Sequence, residues 1–70
     1  MDRTFISSTN VNSIGYDEAS ETLEVEFKSG AIYQYFNVGA VLFEALMTAP
    51  SKGQFLNVNI KNSYPYSRVG

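Results

Sequence analysis

The sequence predicts an α+β fold, in which a three-stranded antiparallel β-meander is followed by two helices packed on one face. Before Asn37, apolar residues alternate with polar ones, which is typical of half-buried strands. After Asn37 they recur at helical spacing. Seventy residues are enough for one small core, so we expect a single domain over residues 1–70.

Three segments show strand periodicity. In the second, Leu23 and Val25 alternate with Glu24 and Glu26, the pattern of an antiparallel strand with one buried and one wet face. Glutamates at period two usually form a solvated face, so we assign them no metal or catalytic role. The predicted strands are "VNSIGYD" (11–17), "TLEVEF" (22–27) and "AIYQYF" (31–36).

The turn between the second and third strands decides which way two tyrosines point. A two-residue loop would require a serine at positive φ, whereas a three-residue loop over residues 28–30 requires it only of Gly30. The three-residue loop pairs Val25 with Tyr33 and turns the rings of Tyr33 and Tyr35 towards the apolar face. A slip of one residue would place both rings on the glutamate face. We therefore expect the two tyrosines to belong to the core.

Two helices are predicted after the strands. The segment "VGAVLFEALMTA" (38–49) has apolar residues at helical spacing, and its only charge is Glu44. Asn37 is a suitable N-cap for this helix, and Pro50 ends it. The tetrapeptide "SKGQ" (51–54) has the form of a capping box, which predicts the start of a second helix.

The composition argues against several classes of protein. The chain has no cysteine and no histidine, which removes thiolate metal sites, the commonest metal ligand and the commonest general base. We therefore expect no cofactor, no metal site and no enzymatic activity. The longest apolar stretch, residues 38–49, is shorter than the ~20 residues of a membrane span. We see no targeting segment and expect a cytoplasmic location without membrane contact.

Charge is distributed unevenly along a chain whose net charge is -2. Cations and aromatic rings interleave towards the C-terminal end, a mixture that binds single-stranded nucleic acid by neutralising phosphates and stacking on bases. The alternative is that these cations only aid solubility and that the tyrosines pack the tail onto the core, which the net charge favours. The residues concerned are Lys52, Lys61, Tyr64, Tyr66 and Arg68.

Short motifs in a fixed order along nearly the whole chain resemble the KTSC domain family. This family is named from its occurrence at the C-terminus of some bacterial lysyl-tRNA synthetases, and it also occurs as a small stand-alone bacterial protein. Members often carry proline where this chain has Gly39. The matching motifs are "SIGYD" (13–17), "LEVEF" (23–27), Gly30, "YQY" (33–35), Val38, "SKGQF" (51–55), "NI" (59–60) and "YPY" (64–66).

The resemblance implies a domain of unsettled function, with RNA binding suggested by association with the synthetase and with no catalytic residues. The family's tyrosine-x-tyrosine signature falls on Tyr33 and Tyr35, which the predicted register makes structural. Two hypotheses follow. The first is a non-catalytic module that binds RNA, including tRNA, through the C-terminal cations and rings. The alternative is a protein-interaction module or small homodimer that uses the apolar helix 38–49 around Leu42, Leu46 and Met47.

Overall fold

The computed structural model describes all 70 residues and shows one antiparallel sheet with two helices on one face. Five strands follow one another in the sheet in sequence order, so the predicted three-stranded meander lacks two strands. The strands are β1 (Arg3–Phe5), β2 (Val11–Asp17), β3 (Thr22–Phe27), β4 (Ile32–Tyr35) and β5 (Tyr66–Arg68). The helices are α1 (Ala40–Thr48) and α2 (Lys52–Phe55), which continues as a π-helical turn (Leu56–Ile60).

The two additional strands, β1 and β5, form the edges of the sheet. Each has three residues, and the side chains of β5 are all exposed. Strand β1 pairs with β2, whereas β5 pairs with β4 so that Tyr66 lies opposite Tyr35. Neither segment shows an alternation of buried and exposed side chains. An edge strand of this kind has no period-two pattern for the sequence to show.

The β3–β4 hairpin has the predicted register. Gly30 adopts φ +99°, and the Phe27 N–H donates to the Ala31 carbonyl oxygen at 2.9 Å. Val25 pairs with Tyr33, which confirms that the tyrosines share the face of β3 that turns inward. We call this the inner face of the sheet, and we call the opposite face, with the strand glutamates, the outer face.

The helix boundaries differ from the prediction at one end. The predicted cap at Asn37 is wrong, because helix α1 begins at Ala40 with Gly39 in the N-cap position. Asn37 instead adopts φ +64°, a left-handed conformation that asparagine tolerates, at the turn from β4 towards the helix. The predicted cap of α2 is confirmed, since the Ser51 hydroxyl accepts a hydrogen bond from the Gln54 N–H at 3.3 Å.

The core lies between the inner face and the helices. Its side chains come from the three central strands, from α1, from Val38 just ahead of that helix, and from the π-helical turn. No helix is long and apolar enough to cross a membrane. The nine buried hydrophobic residues are Val11, Ile14, Leu23, Val25, Tyr35, Val38, Leu46, Leu56 and Ile60.

Candidate nucleic-acid interface

The helices leave one end of the inner face open, and a cleft of about 630 Å³ lies there. Its walls come from the β1–β2 connection, the β3–β4 hairpin, β5 and the segment that follows the π-helical turn. We call it the tyrosine cleft. Its lining residues are Thr9, Asn10, Phe27, Lys28, Ser29, Ala31, Tyr33, Tyr35, Lys61, Asn62 and Tyr66.

Three tyrosines form one side of the tyrosine cleft. Tyr33 and Tyr35 lie two residues apart on β4, and the pairing of β5 with β4 brings Tyr66 beside them. The ring centroid of Tyr66 lies 5.8 Å from that of Tyr33 and 6.0 Å from that of Tyr35. Tyr35 is only 3% exposed, whereas Tyr66 is 59% exposed. The cluster therefore runs from a buried ring to one with a free surface.

Two lysines bring positive charge to the cleft. The Lys61 ammonium lies 4.8 Å from the centroid of the Phe27 ring, a cation–π contact. The π-helical turn ends at this lysine, whose N–H donates to the Leu56 carbonyl oxygen at 2.8 Å. Lys28 adds a second cation from the β3–β4 hairpin. No aspartate or glutamate lines the cleft, so it is cationic although the chain as a whole is acidic.

The hydroxyl groups of the three cleft tyrosines make no hydrogen bond within the protein. The only tyrosine hydroxyl that does so is that of Tyr16, which donates to the Val38 carbonyl oxygen at 2.6 Å. Burial, together with the neighbouring phenols of Tyr33 and Tyr66, raises the pKa of Tyr35 above its usual value. Tyr35 is therefore protonated at neutral pH, and its hydroxyl can donate a hydrogen bond to a ligand.

The glutamates of β3 lie on the outer face, away from the cleft. Glu24 accepts a hydrogen bond from the Gln34 side chain at 2.9 Å and lies 3.5 Å from the Arg3 guanidinium. Glu26 accepts hydrogen bonds from Asn12 at 2.8 Å and from the Ser13 hydroxyl at 2.9 Å, which lower its pKa. These carboxylates thus hold neighbouring strands together. No three acidic side chains lie close enough together to hold a metal ion.

The structure brings two of the five predicted nucleic-acid contacts, Lys61 and Tyr66, to the cleft. The other three do not line it. The Lys52 ammonium donates to the Ala49 carbonyl oxygen at 3.1 Å. Arg68 lies opposite Tyr33 and so shares the face of the cleft, and its Nε donates to the Gly70 carbonyl oxygen at 2.7 Å. Tyr64 is half-buried and packs against the core.

Several cleft residues were not predicted as contacts. Tyr33 and Tyr35 do face the core, as the register indicated, but the open end of the inner face also makes them cleft residues. Their new neighbour comes from β5, and the extended "YPYSR" (64–68) indicates a further strand but not the strand with which it pairs. The remaining polar residues come from loops, which have no periodicity. They are Thr9, Asn10, Lys28, Ser29 and Asn62.

Helix α1 turns the side chains named in the interaction hypothesis towards the core. Leu46 is fully buried, and Leu42 and Met47 pack against the core. The outward side of the helix carries Val41, which is 87% exposed, and Glu44. The large apolar side chains of this helix, apart from Val41, therefore lie in the core or pack against it.

Comparison with known proteins places this fold in a family. The family model of the KTSC domain matches residues 7–64. The crystal structure of a KTSC domain protein from Yersinia pestis superposes with a TM-score of 0.95 at 35% sequence identity. That superposition covers 99% of this chain and 97% of the other.

Sequence relatives are of two kinds. A protein of Stutzerimonas stutzeri, described as uncharacterized, is 40% identical over 70 residues, which cover 99% of both chains. A lysine–tRNA ligase of Nostoc sp. is 39% identical over 59 residues, which cover 84% of this chain and 10% of the ligase. The chain thus spans about a tenth of that enzyme's length. On the family match and the full-length relative, this chain belongs to the KTSC domain family.

Proposed function

We propose that this protein is a non-catalytic RNA-binding domain that takes unpaired nucleotides, including those of tRNA, in the tyrosine cleft. The observation that carries this function is the combination of three tyrosines with two lysines in one cleft. Aromatic rings stack on unpaired bases, at about 1–3 kcal/mol for each base, and cations neutralise the phosphates. An RNA ligand also agrees with the predicted cytoplasmic location.

The distribution of charge supports an anionic ligand. The net charge of -2 would oppose RNA if the charges were evenly spread over the surface. The cleft, however, is lined by Lys28 and Lys61 and by no carboxylate. Two glutamates of β3 are held on the opposite face of the sheet. Repulsion is therefore weakest at the cleft, where the rings are.

The relatives supply a context that agrees with RNA. Lysine–tRNA ligases of Nostoc sp., Nostoc punctiforme and Trichormus variabilis contain a segment similar to this chain. A tRNA is a substrate of such an enzyme by its name, and the shared segment is a tenth of its length. An accessory contact to RNA is a role compatible with a segment of this size.

A salt-dependent titration of labelled single-stranded RNA and of tRNA tests the proposed function. We expect weak binding that strengthens as salt is lowered, because binding releases counterions from the phosphates. Lys61→Gln should weaken binding to every sequence alike. It should also reduce the slope of the logarithm of the binding constant against the logarithm of the salt concentration by about one. Lys52→Gln is the matched control, because Lys52 lies outside the cleft, and it should leave the slope unchanged.

Two results would count against RNA binding at the cleft. The first is an absence of binding at protein concentrations of about 1 mM and low salt, which leaves less affinity than specific recognition requires. The second is an equal loss of affinity in the Lys52 and Lys61 variants, which would place the RNA elsewhere on the surface.

A further inference from the structure

We propose that the tyrosine cleft holds one nucleotide at a time, with the base on Tyr66 and the phosphate on the Tyr35 hydroxyl and the ammonium groups of Lys28 and Lys61. This assignment rests on the proposed function for the statement that the nucleotide belongs to an RNA. The same contacts would hold a free nucleotide equally well, and the experiment below distinguishes a free nucleotide from one that is part of an RNA.

The exposure of the rings limits the cleft to one base. Proteins that bind a run of unpaired nucleotides present several free rings along a groove. Here Tyr35 is buried and Tyr33 is half-buried, so only Tyr66 has most of its surface free. A cleft of about 630 Å³ is also within the range of small-molecule sites rather than of an extended groove.

The hydroxyl of Tyr35 indicates where an oxygen-rich group of the ligand binds. Tyr35 is 3% exposed and lines the cleft, and its hydroxyl oxygen is not one of the polar atoms sealed from solvent. This hydroxyl has no hydrogen-bond partner within the protein, although the hydroxyls of largely buried tyrosines usually find one. A ligand oxygen that enters the cleft can therefore reach this hydroxyl and accept its hydrogen bond in place of water.

The charge of the lining identifies that oxygen as anionic. The cleft contains two ammonium groups, the side-chain amides of Asn10 and Asn62 and three phenol hydroxyls, all of which can donate hydrogen bonds. It contains no carboxylate to compete for them. A phosphate presents several acceptor oxygens and a negative charge, and so matches this set of donors better than a neutral group does.

NMR titrations with adenosine 5′-monophosphate, adenosine and inorganic phosphate test the assignment. We expect the monophosphate to bind at least about tenfold more tightly than either fragment, because base and phosphate are held together. Tyr35→Phe should weaken monophosphate binding by about three- to tenfold through the lost hydrogen bond. Tyr66→Leu should reduce it to the level of inorganic phosphate. Tyr16→Phe, outside the cleft, is the control.

The outcomes of these titrations show whether this assignment fails, whether the proposed RNA function fails, or whether both stand. Adenosine that binds as tightly as the monophosphate, or an unchanged affinity in Tyr35→Phe, overturns the assignment. Binding of RNA at the cleft without binding of the monophosphate also overturns it and leaves the RNA function standing. A third outcome is that the monophosphate binds, that Tyr35→Phe and Tyr66→Leu both weaken its binding, and that RNA does not bind. This outcome supports the assignment with a free nucleotide as ligand and removes the RNA function.

Discussion

Tyrosines occupy two regions of the inner face, and the two regions use them differently. At the α1 end, the ring of Tyr16 stacks on Phe43 at a centroid distance of 4.3 Å, and its hydroxyl donates to the Val38 carbonyl oxygen. In the tyrosine cleft, the rings of Tyr33, Tyr35 and Tyr66 also contact one another, but their hydroxyls bond to nothing in the chain. In the first region the tyrosine hydroxyl has its hydrogen-bond partner within the protein, whereas in the second the three hydroxyls remain available to donate to a ligand.

The charges around the two regions differ in sign. The carboxylates of Glu21, Glu18 and Asp17 act on Tyr16 and, after burial, are the causes that raise its pKa. Around the cleft the charged groups are Lys28 and Lys61. The same residue type on the same face of one sheet is therefore structural in acidic surroundings and available to an anion in basic ones.

Removing a ring from each region should produce the largest contrast. Phe43→Ala deletes the partner of Tyr16 and should lower the free energy of unfolding by about 3 kcal/mol, as large-to-small changes against a core do. Tyr66→Ala deletes an exposed ring and should cost less than about 1 kcal/mol. Urea denaturation measures both, and Phe43→Leu is the milder substitute if Phe43→Ala does not fold. Equal losses would mean that Tyr66 is a structural residue too.

Removing single hydroxyl groups should give a smaller difference in the free energy of unfolding, again with the larger loss in the region of Tyr16. Tyr16→Phe leaves the Val38 carbonyl without its donor and should destabilise the protein by about 1 kcal/mol. Tyr35→Phe removes a hydroxyl without a partner and should leave stability unchanged or slightly higher. Both changes remove one oxygen, so each controls for the other. A Tyr35→Phe protein as unstable as Tyr16→Phe would reveal a structural hydrogen bond in the cleft.

The titration of the Tyr16 and Tyr35 phenols should show the smallest contrast. The pKa values of Tyr16 and Tyr35 are raised in the folded protein, so their neutral forms stabilise the fold below the unfolded value of about 10. That stabilisation is lost as pH rises through the folded pKa values. Added salt should lower the pKa of Tyr16 more than that of Tyr35, because carboxylates contribute only to the first.

Phenolate absorbance of the two single Tyr→Phe variants identifies each titration step by its disappearance. An identical response to salt at both sites would show that the acidic side chains near Tyr16 have no effect on its ionisation.

The central strands were predictable because apolar residues alternate with polar ones along the sequence, most clearly Leu23 and Val25 with the glutamates of β3. The predicted bounds of β2 and β3, residues 11–17 and 22–27, match the structure, and the single glycine Gly30 fixed the register of β4. The edge strands β1 and β5 could not be predicted in this way, since each has only three residues and no alternation of buried and exposed side chains. The π-helical turn likewise has no local signal, because it depends on packing of its buried residues.

The cleft was only partly predictable for the same reason. Composition drew attention to Lys61 and Tyr66, which the structure does place there. Their position beside Tyr33 and Tyr35 follows from the pairing of β5 with β4, a contact over some thirty residues that no nearby pattern encodes. The predicted contacts that lie elsewhere, such as Lys52, share the composition of a binding segment but not its geometry.

An amide NMR titration with a short single-stranded RNA at low salt tests most directly whether the tyrosine cleft is the ligand site. We expect shifts confined to the lining residues, above all in the β3–β4 hairpin, in β5 and at Lys61 and Asn62, with the residues around Tyr16 unaffected. Shifts centred on Tyr16, on the outer face or on Lys52, with the cleft unperturbed, would contradict the distinction between the two regions.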